Sequence, residues 1–336
     1  MKLDGGLGTD IHSAAAAARR LEDLGYDGGF TAEISHDPFL PLAVAATATE
    51  RMELGTGIAV AFARNPMNLA NIAHDLQVAS RGRFILGLGS QIKPHITKRF
   101  SMPWDRPAAR MRELVLAMRA IWACWDRGEP LAFRGDFYTH TLMTPMFTPT
   151  GNEWGDPKVF IAGVGPVMTR VAGEVADGFV SHAFTTADYF RDVVVPNLEA
   201  GLALGGRSRS DFEVTMPLFT VLGDTEEERT AKARAVRQQI AFYGSTPAYR
   251  PVLEHHGWGD AQDELNRLSK QGKWVEMADV IDDSMLAAFA IVGTVEEFPD
   301  ELARRFGGLI DRLQFYFADF DDQARWAPVI ERIRTL

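Results

Sequence analysis

Gly163 and Gly165 stand one residue apart where the apolar run Val159, Phe160, Ile161 ends, and Pro166 follows at once. A glycine pair there leaves the backbone free to approach a ligand, and proline suits the first position of a helix. Val167, Val171 and Val175 then recur at i, i+4 and i+8, so that face of the helix is expected to be buried. Asp177 and Gly178 end it before Phe179 and Val180 resume an extended run. The stretch from Val159 to His182 therefore reads as one βαβ unit, and the free N–H groups at its helix start would face an anion such as a phosphate. An ordinary βα turn, packed tightly by its glycines, has the same sequence appearance.

Other polar or small residues follow apolar runs in the same way. Glu33, Ser35, His36 and Asp37 come after Gly28 to Ala32, and Arg64 and Asn65 after Leu54 to Ala63. Gly89, Ser90, Gln91, Lys93 and His95 come after Phe84 to Leu88, and His182 after Val180. Glu33, His36 and His182 are the candidates for chemistry. A carboxylate such as Glu33, leaving a strand end directly, could orient a cofactor or move a proton. Asp37 equally suits a cap for a helix starting at Pro38, and His36 a loop hydrogen bond. Lys93, near a strand end, could contact an anion, whereas Lys98 and Arg99 read as solvated surface charges. No HxH or HExxH spacing occurs, so no metal site is expected. No GxSxG elbow is present either, which argues against a serine hydrolase.

These residues need a scaffold that brings strand ends together. Strands are expected at Leu3 to Leu7, Gly28 to Ala32, Leu54 to Ala63, Phe84 to Leu88, Val159 to Ile161, Phe179 to Val180, Phe212 to Leu222 and Arg312 to Phe317. Helices are expected between them. Asp10 suits a cap for the first, Asn65 with Pro66 opens another, Asp105 suits a cap for residues 106–127, and Thr225 with Glu228 forms a capping box. A helix from Thr185 to Leu204 should kink at Pro196. Eight strands alternating with helices, without a low-complexity linker, predict an α/β fold, a (β/α)8 TIM barrel over 1–336 as one domain. Two stretches interrupt the rhythm: residues 133–147, read as a hairpin insertion, and residues 241–288, read as a helical insertion. The second carries Tyr243, Tyr249, His255, His256 and Trp258, and a long βα insertion on the catalytic face would cover the mouth.

Composition narrows the partners. The chain has 336 residues, 46% hydrophobic and 24% charged, with a formal net charge of −10. Such a balance argues against nucleic acid or an anionic membrane surface as the main partner, because both reward a basic face. The single cysteine, Cys124, lies between Trp122 and Trp125 in a helical pattern, so it reads as a buried thiol and no intrachain disulfide is possible. The longest uncharged apolar run, Pro38 to Thr49, is too short to span a bilayer, and a cytoplasmic protein with a small-molecule partner is expected.

Several segments together resemble the luciferase-like monooxygenase superfamily, and within it the coenzyme F420-dependent oxidoreductases. They are ELGTGIAVAFARNP at 53–66, GRFILGLGSQ at 82–91, MPWDRPAARMREL at 102–114, FRGDFY at 133–138, and VFIAGVGP with VAGEVADGFV within 159–180. The resemblance implies a TIM barrel that holds F420, or alternatively FMN, across its strand ends, with the phosphate near the glycine turn and hydride transfer at the ring. It also implies a non-prolyl cis peptide at Gly57 and Ile58. Cofactor contacts would fall at Gly57, Ile58, Gly89, Ser90, Gln91, Ala162, Gly163, Val164 and Gly165, with Lys93 and Arg64 near an anionic tail. Related F420 enzymes place an acidic residue beside a histidine; here Glu33 and His36 are separated by Ile34 and Ser35. The function so implied is hydride transfer between deazaflavin and a small organic substrate. Its rivals are an FMN-dependent monooxygenase working with a reductase partner and oxygen, and a non-catalytic flavin-binding protein. A homo-oligomer is the expected assembly.

Overall fold

Local signals set most element boundaries in the computed structural model, which describes residues 1–316 and 323–336. Strands β1 (Lys2–Gly6), β2 (Gly28–Thr31) and β3 (Glu53–Thr56) lead to helices α1 (Ile11–Asp23), α2 (Phe39–Ala48) and α3 (Pro66–Ala79), with a two-residue strand β4 (Ala59–Val60) before α3. Next come β5 (Phe84–Gly89), α4 (Pro107–Arg127), the short strands β6 (Phe133–Arg134) and β7 (Thr139–His140), β8 (Lys158–Gly163), α5 (Pro166–Val175) and β9 (Gly178–Ser181). They are followed by α6 (Ala187–Tyr189), α7 (Val195–Leu204), β10 (Glu213–Leu222) and α8 (Glu226–Gly244). The chain ends with α9 (Arg250–His255), α10 (Gly259–Lys270), α11 (Asp283–Phe289), β11 (Ala290–Gly293), α12 (Phe298–Phe306), β12 (Arg312–Phe315) and α13 (Gln323–Arg334).

Parallel strands in the order β1, β2, β3, β5, β8, β9, β10, β12 form a ring, and β12 closes on β1 through Lys2↔Arg312, Leu3↔Leu313 and Asp4↔Gln314. The fold is a (β/α)8 barrel, as the alternation predicts. Its main core lies between ring and helices. On α4, Met111, Leu114, Val115, Met118, Ile121 and Trp122 are all fully buried, each worth about 1.5–3 kcal/mol relative to exposure. The Trp122 indole also donates to the Ala70 carbonyl at 3.2 Å.

Caps behave as their residue types dictate, with one exception. Asp10 accepts from the N–H groups of His12 and Ser13, Asn65 from Asn68, and Thr225 from Glu228. Asp105 does not cap α4. Arg106 occupies that position in a left-handed conformation, and no side chain caps the helix. Within 133–147, β6 and β7 pair as a short antiparallel hairpin through Phe133↔His140 and Arg134↔Thr139. Glu113 on α4 fastens it by accepting from the N–H groups of Asp136, Phe137 and Tyr138 at 2.7–2.9 Å.

Other expectations need correction. The strand expected over 54–63 is broken into β3 and β4, and Ala61–Ala63 turns into a 3-10 helix. The helix expected over 185–204 is three pieces, with a π-helical turn at Phe190–Val194 just before Pro196. Proline has no N–H to complete the helical ladder, so the turn widens there. Val167 is exposed, while Val171 and Val175 are buried as expected. Phe317, expected to end the last strand, lies outside the described residues.

The insertion before the eighth ring strand is also larger than 241–288. The second half of β10 extends past β12 and pairs instead with β11, from Phe219↔Ala290 to Leu222↔Gly293. Helix α8 packs on α10, α11 and the turn at Glu276–Val280, whereas α12 packs beside α13 in the outer ring. The excursion therefore runs from about 219 to 293.

Candidate active site at the barrel mouth

Side chains alternate along a strand, so pairing register tells which residues share the inside of the barrel. Phe30, Ile85, Phe160 and Val180 form a cluster separate from the main core and define an inner layer. Below it lies a charged floor. The fully buried Arg312 guanidinium binds both oxygens of buried Asp4 at 2.6 and 2.9 Å, and reaches Glu213 at 2.9 Å and Glu53. Lys2 and Lys158 each bridge Glu53 and Glu213. Three basic and three acidic groups thus close the N-terminal end of the barrel.

Above the inner layer, counting by twos from each of its residues gives two unlike halves. Strands β1, β2, β5 and β8 present Gly6, Ala32, Gly87, Gly89 and Ala162, which have little or no side chain. Strands β9, β10 and β12 present His182, Phe219 and Tyr316. A Cβ built on Gly6 would meet no atom within 4 Å, so the mouth is open there, whereas one on Gly87 would strike the Thr56 carbonyl and one on Gly89 the Ile58 side chain. The other half is an aromatic wall, to which the excursion adds Tyr243 and Tyr249.

At the edge of the bare half, β2 and β3 are stitched together around the Gly57–Ile58 peptide, which is cis as the family resemblance implies. Gly57 N–H donates to the Thr31 carbonyl at 2.7 Å, and Glu33 N–H to that of Ile58 at 3.1 Å. The buried Glu33 carboxylate accepts from Val60 N–H and Arg64 Nη1 through the same oxygen, Oε2, both at 2.7 Å. Arg64 also binds Asp37 at 3.0 Å and lies over the Phe39 ring. Arg64 is thus committed to this rim and not held out toward an anionic tail. Glu33 anchors β4, and any proton it handles would have to use Oε1.

We expect Glu33→Gln to lose the charged partner of a largely buried arginine. Charge-assisted hydrogen bonds of this kind contribute about 1.5–3 kcal/mol, so urea unfolding should show a loss of that order together with lower turnover. A variant as stable as the wild type would mean that the anchor is unimportant.

His182 holds the centre of the aromatic wall. Its Nδ1 accepts from Phe184 N–H at 3.0 Å, and its Nε2 lies 3.4 Å from Tyr249 Oη. Tyr243 meets it edge-on with ring centroids 4.5 Å apart. Burial pushes the His182 pKa down to about 4, so the ring is neutral at physiological pH. Tyr243 and Tyr316 share a 2.6 Å hydroxyl contact. Burial, first, and the neighbouring Tyr316 hydroxyl make Tyr243 hard to ionise.

The glycine turn contributes backbone. Gly165 is the N-cap of α5 with no capping side chain, and a Cβ there would again meet nothing within 4 Å. Val164 is partly exposed, and Val167 is exposed because the first turn of α5 faces outward at this end. Ser90 Oγ donates to the Gln91 carbonyl, and Gln91 has a left-handed backbone. His36 and Lys93 are exposed, and Lys93 forms no ion pair among the described residues. Arg99 donates to the Ile34 carbonyl at 2.6 Å and so ties the loop after β2 to the one after β5.

The structure brings His182, Tyr243 and Tyr249 together, but no hydrogen bond joins His182 to Glu33 or His36 among the described residues. His255 and His256 fasten the excursion to the segment after β9, through Asp192 at 3.2 Å and Thr186 at 2.7 Å. Phe219 and Tyr316 escaped the sequence reading, although both continue the inward alternation of their strands. A groove of about 630 Å³, lined by Val221, Arg234, Asp279 and Val292 among others, lies within the excursion, where Arg234 and Asp279 are already paired at 2.6 Å. Among the described residues no group of three or more metal-ligating side chains occurs, and no helix is long and apolar enough to cross a membrane.

The sequence profile of luciferase-like monooxygenases matches residues 2–312. An uncharacterised protein of Mycobacterium tuberculosis is 56% identical over 313 residues, covering 93% of this chain and 92% of its own. A 5,10-methylenetetrahydromethanopterin reductase of Archaeoglobus fulgidus is 27% identical, covering 86% of this chain and 83% of its own. Among solved structures, the coenzyme F420-dependent tetrahydromethanopterin reductase of Methanopyrus kandleri superposes with a TM-score of 0.79 at 20% identity, covering 99% of this chain and 98% of its own. The oxygenating constituent of a Pseudomonas putida diketocamphane monooxygenase, in complex with FMN, gives 0.65 at 19% identity, covering 99% of this chain and 97% of its own.

Proposed function

Because this chain belongs to the luciferase-like monooxygenase family, whose relatives here are reductases and monooxygenases, we propose that it is an F420-dependent oxidoreductase transferring a hydride between the deazaflavin and a small organic substrate. The observation that carries this reading is the divided mouth, bare on one half and aromatic on the other. A flat ring needs a patch without side chains, and the substrate beside it needs a wall that excludes water.

The residues present suit such a cofactor. Gly57, Ile58, Gly89, Ser90 and Gln91 would flank the ring, and exposed Lys93, which forms no ion pair among the described residues, would meet an anionic tail. Ala162, Gly163, Val164 and Gly165 would receive a phosphate at the start of α5, where a side chain is absent and the backbone N–H groups are available. When bound, the deazaflavin supplies the hydride chemistry. Glu33 with Arg64 holds the rim in place, His36 lies exposed on the loop after β2, and neutral His182 and its tyrosines form the side on which substrate would lie.

Titration tests the cofactor. We expect F420 to bind the purified protein more tightly than FMN, read by changes in cofactor absorbance and fluorescence. Tight FMN binding with oxygen consumption, and no F420 binding, would replace this reading by the flavin monooxygenase one, which the FMN-bound structural neighbour supports. Binding of either cofactor without turnover of any substrate would favour a carrier.

A further inference from the structure

We propose that His182 and Tyr249 form a binding site for the oxygen of an uncharged carbonyl compound, with the Tyr249 hydroxyl as the donor. This rests on the functional reading above only in taking a small organic molecule as the occupant of the mouth. The direction of donation follows from one backbone group. Phe184 N–H donates to His182 Nδ1 at 3.0 Å, so the single proton of the neutral ring sits on Nε2. Nε2 faces Tyr249 Oη at 3.4 Å, which makes the histidine the donor and the tyrosine the acceptor.

The proton of Tyr249 must then point away from the histidine. No acceptor takes it among the described residues, and the side chain is half-buried. A donor that gives up water when a ligand fills this half-buried pocket must find a new acceptor or be left at a cost, and a ligand oxygen supplies that acceptor. Tyr249 comes from the excursion and His182 from the ring, so the site exists only when the two are docked. Phe184 stacks on Tyr249 with centroids 5.7 Å apart, and Phe289 backs Phe184 at 4.6 Å.

The same surroundings restrict the ligand. With His182 neutral, the wall of His182, Phe184, Tyr243, Tyr249 and Phe289 carries no charge, and a carboxylate or phosphate desolvated against it would find no counter-ion. A ketone or enone loses little by leaving water there, buries its carbon skeleton against the rings and gains one hydrogen bond.

Cyclohexanone with an isotopic label at its carbonyl carbon is a suitable probe, added to the protein alone and to the protein saturated with F420. On binding, the carbonyl resonance should move downfield, as it does when the oxygen accepts a hydrogen bond. Tyr249→Phe keeps the ring and should abolish the shift while weakening binding about tenfold, or roughly 1.4 kcal/mol. Near-ultraviolet circular dichroism and F420 affinity of the variant should match the wild type, and cyclohexanecarboxylate should not compete. A shift that survives in Tyr249→Phe, effective competition by the carboxylate, or failure to bind cyclohexanone in either state overturns the proposal. Loss of F420 binding with the Tyr249-dependent shift intact would remove the cofactor assignment and leave this site standing.

Discussion

Gly87→Ala is expected to be the most damaging single methyl that can be added near the mouth. A Cβ at this position would lie 1.8 Å from the Thr56 carbonyl oxygen and 3.0 Å from its carbon. Both are backbone atoms, so no rotamer change relieves the clash. The approach is enforced from the other side too, because Thr56 Oγ1 donates to the Gly87 carbonyl at 2.6 Å. Overpacking of an interior commonly costs about 1–3 kcal/mol, and a clash with rigid backbone belongs at or beyond the upper end. The variant should lose at least about 3 kcal/mol in urea unfolding, or fail to yield folded protein, and any folded fraction should bind cofactor poorly because β3 and β5 frame the bare half. Wild-type stability in Gly87→Ala would show that the two strands can separate freely.

Arg312→Met should destabilise nearly as much, through charge. The substitution keeps an apolar stem but leaves buried Asp4, together with Glu53 and Glu213, short of its principal cation. Breaking a buried pair by removing one partner costs about 3–5 kcal/mol. The pH dependence carries a second signature. Burial pushes the Glu213 carboxyl up, but the Lys158 hydrogen bond and the Arg312 charge more than reverse this and bring it from 4.5 to about 2. Glu53 is lowered in the same way, burial being outweighed by Arg312 and Lys2. A depressed carboxyl contributes stability that is present above its unfolded value and lost as pH falls toward its folded one. Wild-type stability should therefore decline as pH falls below about 4.5, the Glu213 part being lost toward about pH 2 and Glu53 adding a loss of the same sign. Asp4 works against them, since burial raises it despite Arg312. In Arg312→Met the acid-side decline should be shallower, starting from a lower plateau. Equal plateaus by urea unfolding at neutral pH would show that the floor contributes nothing.

Much of this architecture is written locally. The apolar periodicity of α4, the caps at Asp10, Asn65 and Thr225, and the glycine turn at Gly163 to Gly165 each involve residues within a few positions of one another. Such signals place helices and strands because their energetics are short-range, and the alternation they produce points to a barrel. The same locality explains the misses. Asp105 suits a cap by type, but Arg106 turns left-handed at the start of α4 and salt-bridges Asp136 of the hairpin, 30 residues away. The sequence AIVG of β11 has no partner nearby; its partner is the end of β10, some seventy positions earlier.

The candidate site divides along the same line. That polar and small residues gather after strands was legible from the sequence alone, and so were Glu33, His182 and the glycine turn as places to look. What those residues do was decided by closure of the ring. Glu33 lost its freedom to Arg64, 31 positions away, and Arg312 found Asp4 across 308. His182 is neutral because it is buried, and Phe184 N–H occupies one of its nitrogens while Tyr249, brought in by an excursion of the chain, faces the other. A side chain's type sets what it can donate or accept. Its protonation, its partner and the face it presents depend on burial and on groups distant in sequence, which only the assembled barrel brings within hydrogen-bonding range.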